Sequence, residues 1–130
     1  MANPNIVNVT SIYGESLGEA LSTTVTTVIM TVSSGKLLKI NYIQVANDHP
    51  TIAIDVTVAI TKADFTSAGV ASGDDNAAII FLASTINCPA DDVLVVLDKP
   101  IYLMEGDNLE AGASPATGDI FISYEVINDA

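Results

Sequence analysis

The chain is 130 residues long and carries a net charge of −12, from 4 basic and 16 acidic residues, so it holds one domain whose surface is repelled by phosphate backbones and anionic lipid. All the basic residues are lysines, Arg and Trp are absent, and His49 and Cys88 stand alone, which removes most routes to catalysis, metal capture, internal disulfides and nucleic-acid binding. Hydrophobic residues make up 49% and charged residues only 15%, against about 25% charged in a typical soluble domain; this excludes disorder and predicts an exterior of Thr, Ser, Asn and Ala, part of it buried against other subunits.

The opening residues MANPNIVNVT have neither a basic n-region nor an apolar h-region, so no signal peptide is expected. Residues 1–5 read as an extended arm and residues 6–130 as a single β-sandwich domain. Ile6 to Ile12 is the first predicted strand, and Glu15 to Leu21 is ambiguous between a turn of helix and a loop. Thr23 to Val32 is rich in Thr and Val, which suits a pleated strand. Ser33-Ser34-Gly35-Lys36 is a turn signal, with Leu37 to Val45 as the hairpin partner. There Leu38, Ile40 and Tyr42 share one parity and Ile43 and Val45 take the other, so a bulge or burial on both faces is expected. Asn47-Asp48-His49-Pro50 breaks the segment.

Ile54 to Lys62 has the cleanest alternation: Ile54, Val56, Val58 and Ile60 on one side, Asp55, Thr57, Ala59 and Thr61 on the other. It predicts an antiparallel strand with one face on core and one wet. Ala63 to Asn76 is a long loop of the kind that often carries function. Ala77 to Asn87 and Val93 to Leu97 are apolar strands around Cys88-Pro89-Ala90-Asp91-Asp92. The apolar run from Ala77 to Ala83 is the longest in the chain and far short of the ~18 residues needed to span a bilayer. Ile101 to Met104, the turn Glu105-Gly106-Asp107-Asn108, Leu109 to Ala113, the loop Ser114 to Gly118 and a closing strand Asp119 to Ile127 complete the series. In the closing strand Ile120, Ile122, Tyr124 and Val126 share a face. Eight or nine strands with short turn-rich connections predict an all-β, two-sheet antiparallel β-sandwich, jelly-roll-like because eight strands fit two Greek keys.

The candidate chemistries are thin. His49 has no second His or Cys at ligand spacing, and a serine nucleophile would have no base. The carboxylate pairs Asp74/Asp75, Asp91/Asp92 and Glu105/Asp107 sit in predicted turns, where Asp bonds its own backbone. Loop carboxylates can hold Ca²⁺, but the Asp-x-Asp-x-Asp-Gly spacing is missing. No catalytic, cofactor or metal residue is therefore assigned, and the chain reads as non-enzymatic. Cys88 reads as a small apolar residue, compatible with a reducing cytoplasm. Tyr42 and Tyr124 are expected on core faces, which leaves few aromatics for binding sugars. The candidate partner contacts are the arm residues Asn3, Pro4, Asn5 and Ile6, which can add to a neighbour's sheet edge, and Lys36 and Lys39, rare cations that can mark register at an interface.

The opening Asn3-Pro4-Asn5-Ile6-Val7-Asn8-Val9-Thr10, the segment Ile101-Tyr102-Leu103-Met104-Glu105-Gly106-Asp107 and the closing Ser123-Tyr124-Glu125-Val126-Ile127 resemble small virion structural proteins of tailed bacteriophages, including those of cyanobacteria and marine bacteria. The resemblance implies a particle component without catalytic residues, most simply a capsid decoration (cement) protein on the outer surface of the head, made in the host cytoplasm. Its implied partners are the major capsid protein and further copies of itself in a homotrimer, with no nucleic acid, membrane or cofactor. The alternative is a tail, baseplate or fibre module, one that binds carbohydrate in the fibre case.

Overall fold

The computed structural model describes residues 9–63, 65–66, 74–75 and 79–129. Its strands are β1 (Val9–Ala20), β2 (Val28–Thr31), β3 (Lys36–Asn47), β4 (Ile54–Thr61), β5 (Phe65–Thr66), β6 (Asp74–Asp75), β7 (Ile79–Cys88), β8 (Val93–Leu97), β9 (Ile101–Leu103), β10 (Asn108–Ser114) and β11 (Gly118–Asp129). One sheet runs β1-β11-β3-β8, with β9 beside β8 along the same side of β3; the other runs β2-β10-β4-β7. The short pair β5 and β6 lies outside both.

The pairings nest. β4 pairs β7, β3 pairs β8 and β9, β2 pairs β10, and β1 pairs β11, all antiparallel. A folded ribbon rolled so that successive pairs fall in alternate sheets is the jelly roll. The expected two-sheet sandwich is therefore the fold. Between the sheets, Ile40, Ile43 and Val45 of β3 and Ile120 and Ile122 of β11 share a core with Ile54, Val56 and Val58 of β4 and Leu109, Ala111 and Ala113 of β10. All are at most 1% exposed. Each large aliphatic side chain so buried contributes about 1.5–3 kcal/mol.

The parity switch in β3 is a bulge. The β11 register shifts between Ser123, opposite Tyr42, and Tyr124, opposite Ile40, so Asn41 is the extra residue. The bulge lets Ile40 and Ile43 both reach the core. It also sends Tyr42 outward, where its hydroxyl donates to Gln44 Oε1 at 2.9 Å; the expectation of Tyr42 on a core face is corrected.

Four further expectations need correction. Glu15 to Leu21 is neither helix nor loop: β1 continues to Ala20, held by an unbroken ladder to β11 from Ser11 to Ala20. Thr23 to Val32 is strand only from Val28 to Thr31. Ser22 and Thr27 still accept from the β10 amides of Ala113 (2.9 Å) and Ala111 (3.0 Å), but the residues between them arch over Gly112. A Cβ on Gly112 would lie 2.7 Å from Thr24 O and from Val25 Cα, so only glycine admits that crossing. β2 and β3 do not form a hairpin, because β2 pairs β10 in one sheet and β3 pairs β11 in the other; the turn at Gly35 (φ 73°) changes layers. Finally, β4 has no wet face along its middle. Thr57 and Ala59 are buried in a strand paired to β10 on one side and β7 on the other, and Thr57 Oγ1 accepts the Thr85 amide at 3.1 Å.

Each end of the sandwich is tied by one buried polar side chain. At one end, Asn47 Nδ2 donates to the carbonyls of Ile52 (2.8 Å), Cys88 (3.2 Å) and Pro89 (3.1 Å). Its Oδ1 accepts from His49 N (3.1 Å) and Thr117 Oγ1 (3.0 Å). At the other, Asp107 Oδ2 accepts from Lys62 Nζ (2.7 Å) and Met104 N (2.9 Å), and Oδ1 from Ala63 N (2.9 Å). The Glu105–Asn108 segment is the expected turn, with Gly106 at φ 87°.

Candidate docking site

β1 and β2 are the neighbouring edges of the two sheets, and the sandwich gapes between them. The regular ladder puts Tyr13, Glu15 and Leu17 of β1 opposite Val126, Tyr124 and Ile122 of β11, on the side that faces the other sheet. With Met30, Thr31 and Val32 from the β2 side, Ser33 and Lys36 from the turn, and Leu38 and Val126 beneath, they line a crevice of about 370 Å³. Its floor is apolar and its rim is polar. Tyr124 Oη donates to Glu15 Oε2 at 2.9 Å; burial first, then the Glu15 carboxylate, pushes the Tyr124 phenol up from its ordinary pKa. Lys36 Nζ donates to Asn128 Oδ1, and Asn128 Nδ2 to Ser11 Oγ (3.0 Å). Tyr13 is 52% exposed at the mouth.

Residues of the opposite parity face outward from the β1 sheet. There β1 presents Gly14, Ser16, Gly18 and Ala20, and a Cβ on Gly18 would meet only Phe121 Cδ1 at 3.9 Å. Phe121, Val95 and Tyr102 are exposed on this face. Its charges are partly neutralised: Lys39 Nζ lies 3.6 Å from Glu125 Oε2, to which Asn41 Nδ2 also donates at 3.3 Å.

On the far edge, β7 exposes Ile79, Ile80 and Phe81, but its ladder to β4 is broken twice, between Val56 and Val58 and again before Ala59. Thr85 there takes φ 53°. Such bulges twist an edge out of the shape a new strand needs. β8 and β9 are separated at residues 98–100, Asp98-Lys99-Pro100. β1, in unbroken register with β11 over the ten residues from Ser11 to Ala20, is the long flat edge.

Of the residues singled out from sequence, Asn3, Pro4, Asn5 and Ile6 lie outside the described residues, as does most of the Ala63 to Asn76 loop. Lys36 lines the crevice and Lys39 the outer face, so the fold separates them. His49 shapes its own loop, with Nδ1 accepting from Thr51 N (3.1 Å) and Ile52 N (3.0 Å). Cys88 is fully buried, and burial, with the Asp92 charge second, pushes its thiol up. Among the described residues no three of His, Cys, Asp and Glu gather as a metal site would require. The sequence reading missed Tyr13, Glu15 and Leu17 as a set; their alternation with Gly14, Ser16 and Gly18 was the available signal. No protein-family model matches the chain, and neither a curated protein nor a solved structure does.

Proposed function

We propose that the protein is a non-enzymatic virion structural component, a phage capsid decoration (cement) protein. In this reading it sits on the outside of the head as a homotrimer and bridges major capsid protein subunits. The observation that carries the proposal is the placement of apolar side chains on the sandwich exterior: Ile12, Tyr13, Phe81, Val95, Tyr102 and Phe121 are each 42–54% exposed. On a jelly roll with so few charges, these supply area for contact with other subunits. At about 25 cal/mol per Å² even a few hundred Å² per contact is substantial, and repetition over a shell multiplies it. The acidic body suits a location away from DNA.

Adding the purified protein to undecorated heads tests this. Saturable binding and raised thermal resistance of the shells are expected; heads that neither bind it nor gain resistance overturn the proposal.

A second reading, a carbohydrate-binding module of a tail or fibre, is favoured by one observation. Tyr13 and Tyr124 share the crevice with the Glu15 carboxylate, a pairing of aromatic and acceptor groups suited to sugars. A glycan array separates the two: specific hits favour this second reading, and an array without hits removes it.

A further inference from the structure

We infer that the β1 edge is a strand-addition site for an extended segment of another protein carrying basic and apolar residues in alternation. The inference rests on the reading above that the chain works by covering another protein's surface. It names the chemistry of the contact.

Among the described residues, β1 pairs with β11 alone, and on one side. Along its other side, alternate backbone N–H and C=O groups are presented to an incoming strand. Its ladder carries no shift from Ser11 to Ala20, the one irregularity lying between Val9 and Ser11, and Val9–Ala20 contains no Pro and no Lys. The strand is exposed along nearly its whole length, with only Val9, Ser11 and Leu17 half-buried. By contrast, β7 is bulged, β2 has four residues, and the β8–β9 edge is broken at Pro100. Of the four edges that the described residues form, β1 alone offers a long regular ladder.

What guards β1 also specifies its occupant. Glu15 and Glu19 stand four residues apart on the side of the strand that carries Leu17, and both are exposed. Charges pointing inward from an edge strand deter indiscriminate pairing, because a strand without counter-charges must desolvate them unpaired. A strand bearing Lys or Arg opposite these two positions removes that penalty, and cross-strand opposite charges add a favourable pair. Between them, an apolar residue lies over Leu17 and reaches the crevice floored by Leu38 and Val126. In antiparallel pairing the complement to Glu19, Leu17, Glu15 and Tyr13 therefore reads Lys-x-Leu-x-Lys-x-Val. The chain cannot supply this pattern from a second copy, since Lys36, Lys39, Lys62 and Lys99 are its only cations besides the N-terminus and His49 and none stands four residues from another. Its net charge of −12 also favours a basic partner at long range.

The test is direct titration with a fluorescein-labelled peptide, Thr-Lys-Thr-Leu-Thr-Lys-Thr-Val-Thr, against a control with both lysines replaced by Glu. The basic peptide is expected to bind at least about tenfold more tightly than the control, an advantage that shrinks as salt screens the pairs. The double variant Glu15→Gln/Glu19→Gln should erase the difference. Glu19→Gln alone, which leaves the Tyr124 hydrogen bond intact, should reduce it. Hydrogen exchange on the complex should show new amide protection in β1 and none in β7 or β8. Equal binding of the two peptides, no binding of either, an advantage that survives in the double variant, or protection on another edge would each overturn the inference. The shell-binding experiment is separate: shells that bind while the peptide fails sink this inference alone, and peptide binding without shell binding sinks the capsid proposal alone.

Discussion

The two ends of the sandwich solve one problem with different chemistry. Each gathers loops whose backbone groups are withdrawn from water, and each satisfies them with a single side chain, Asn47 (2% exposed) at one end and Asp107 (1%) at the other. Asn47 is neutral and uses both donor and acceptor: carbonyls from two loops bond its Nδ2, and an amide and a hydroxyl bond its Oδ1. Asp107 accepts only, from two backbone amides and one ammonium. An amide closes an end with exposed carbonyls as well as amides. A carboxylate closes one where amides predominate, and it needs a cation to offset its burial. Surrounding charge follows the same division. Asp48, Asp91 and Asp92 lie on the loops at the Asn47 end, with Asp55 and Asp119 at the starts of adjoining strands, and a second buried anion there would meet like charge. Lys62 stands at the Asp107 end.

The sharpest way to break this contrast is to remove the charged tie. Asp107→Ala removes the buried carboxylate that the Lys62 ammonium and the amides of Met104 and Ala63 share. Loss of one member of a buried pair costs about 3–5 kcal/mol, so chemical denaturation should show a fall of that size. Asn47→Ala removes hydrogen bonds but strands no charge. The carbonyls and amide left unmet are neutral, so the expected loss is smaller, about 2–3 kcal/mol. If Asn47→Ala proves the more damaging of the two in the same denaturation series, the neutral end is the main tie and the ranking is reversed.

How far the sequence discloses this arrangement depends on the range over which each residue acts. The sandwich is readable because alternation in Ile54–Thr61 and Gly118–Asp129 is local, and the Asn41 bulge is readable because a parity switch is local too. Asp107 is half legible: its bond to the Met104 amide is the turn chemistry expected of Glu105-Gly106-Asp107-Asn108, but its pairing with Lys62, 45 residues away, leaves no local trace. β1 is hidden for a different reason. Gly14 and Gly18 lower the strand propensity of a segment that tertiary pairing with β11 then holds extended. The crevice goes unseen with it, since its rim exists only once β1 reaches past Tyr13, Glu15 and Leu17. The arch over Gly112 is likewise a contact between distant segments, and Thr23 to Val32 therefore reads as uninterrupted strand.

A milder change sharpens the contrast instead of breaking it. Lys62→Met removes the cation but keeps the two backbone amides on Asp107. The carboxylate left behind is 1% exposed, but it keeps the hydrogen bonds from the Met104 and Ala63 amides, so the expected cost is about 2–3 kcal/mol, below that of losing all three bonds at once. Destabilisation equal to that of Asp107→Ala would mean that the amides contribute little and that the ion pair alone closes this end.

The smallest effect separates the ends by pH. Cys88 lies at the Asn47 end, where its carbonyl accepts from Asn47 and its Sγ contacts Asp92 O at 3.5 Å. Burial, and secondarily the Asp92 charge, raises its thiol pKa above the ordinary 9.0. A raised pKa in a group that is neutral when protonated means that the folded state favours the thiol. That contribution is complete below pH 9.0, and it is lost as pH rises through the folded-state value, because the unfolded chain ionises first. Tyr124, in the crevice between the ends, has the same sign above its ordinary 10.0. Stability should therefore decline from pH 9 upward, and Cys88→Ala should flatten the first part of that decline while Tyr124→Phe flattens the later part. Melting temperatures at half-unit pH steps will show the two separately. The same burial should keep Cys88 from reacting with a thiol reagent until the protein is unfolded; rapid labelling of the folded protein at pH 8 would mean that the Asn47 end opens easily and that its hydrogen bonds do not hold the loops shut.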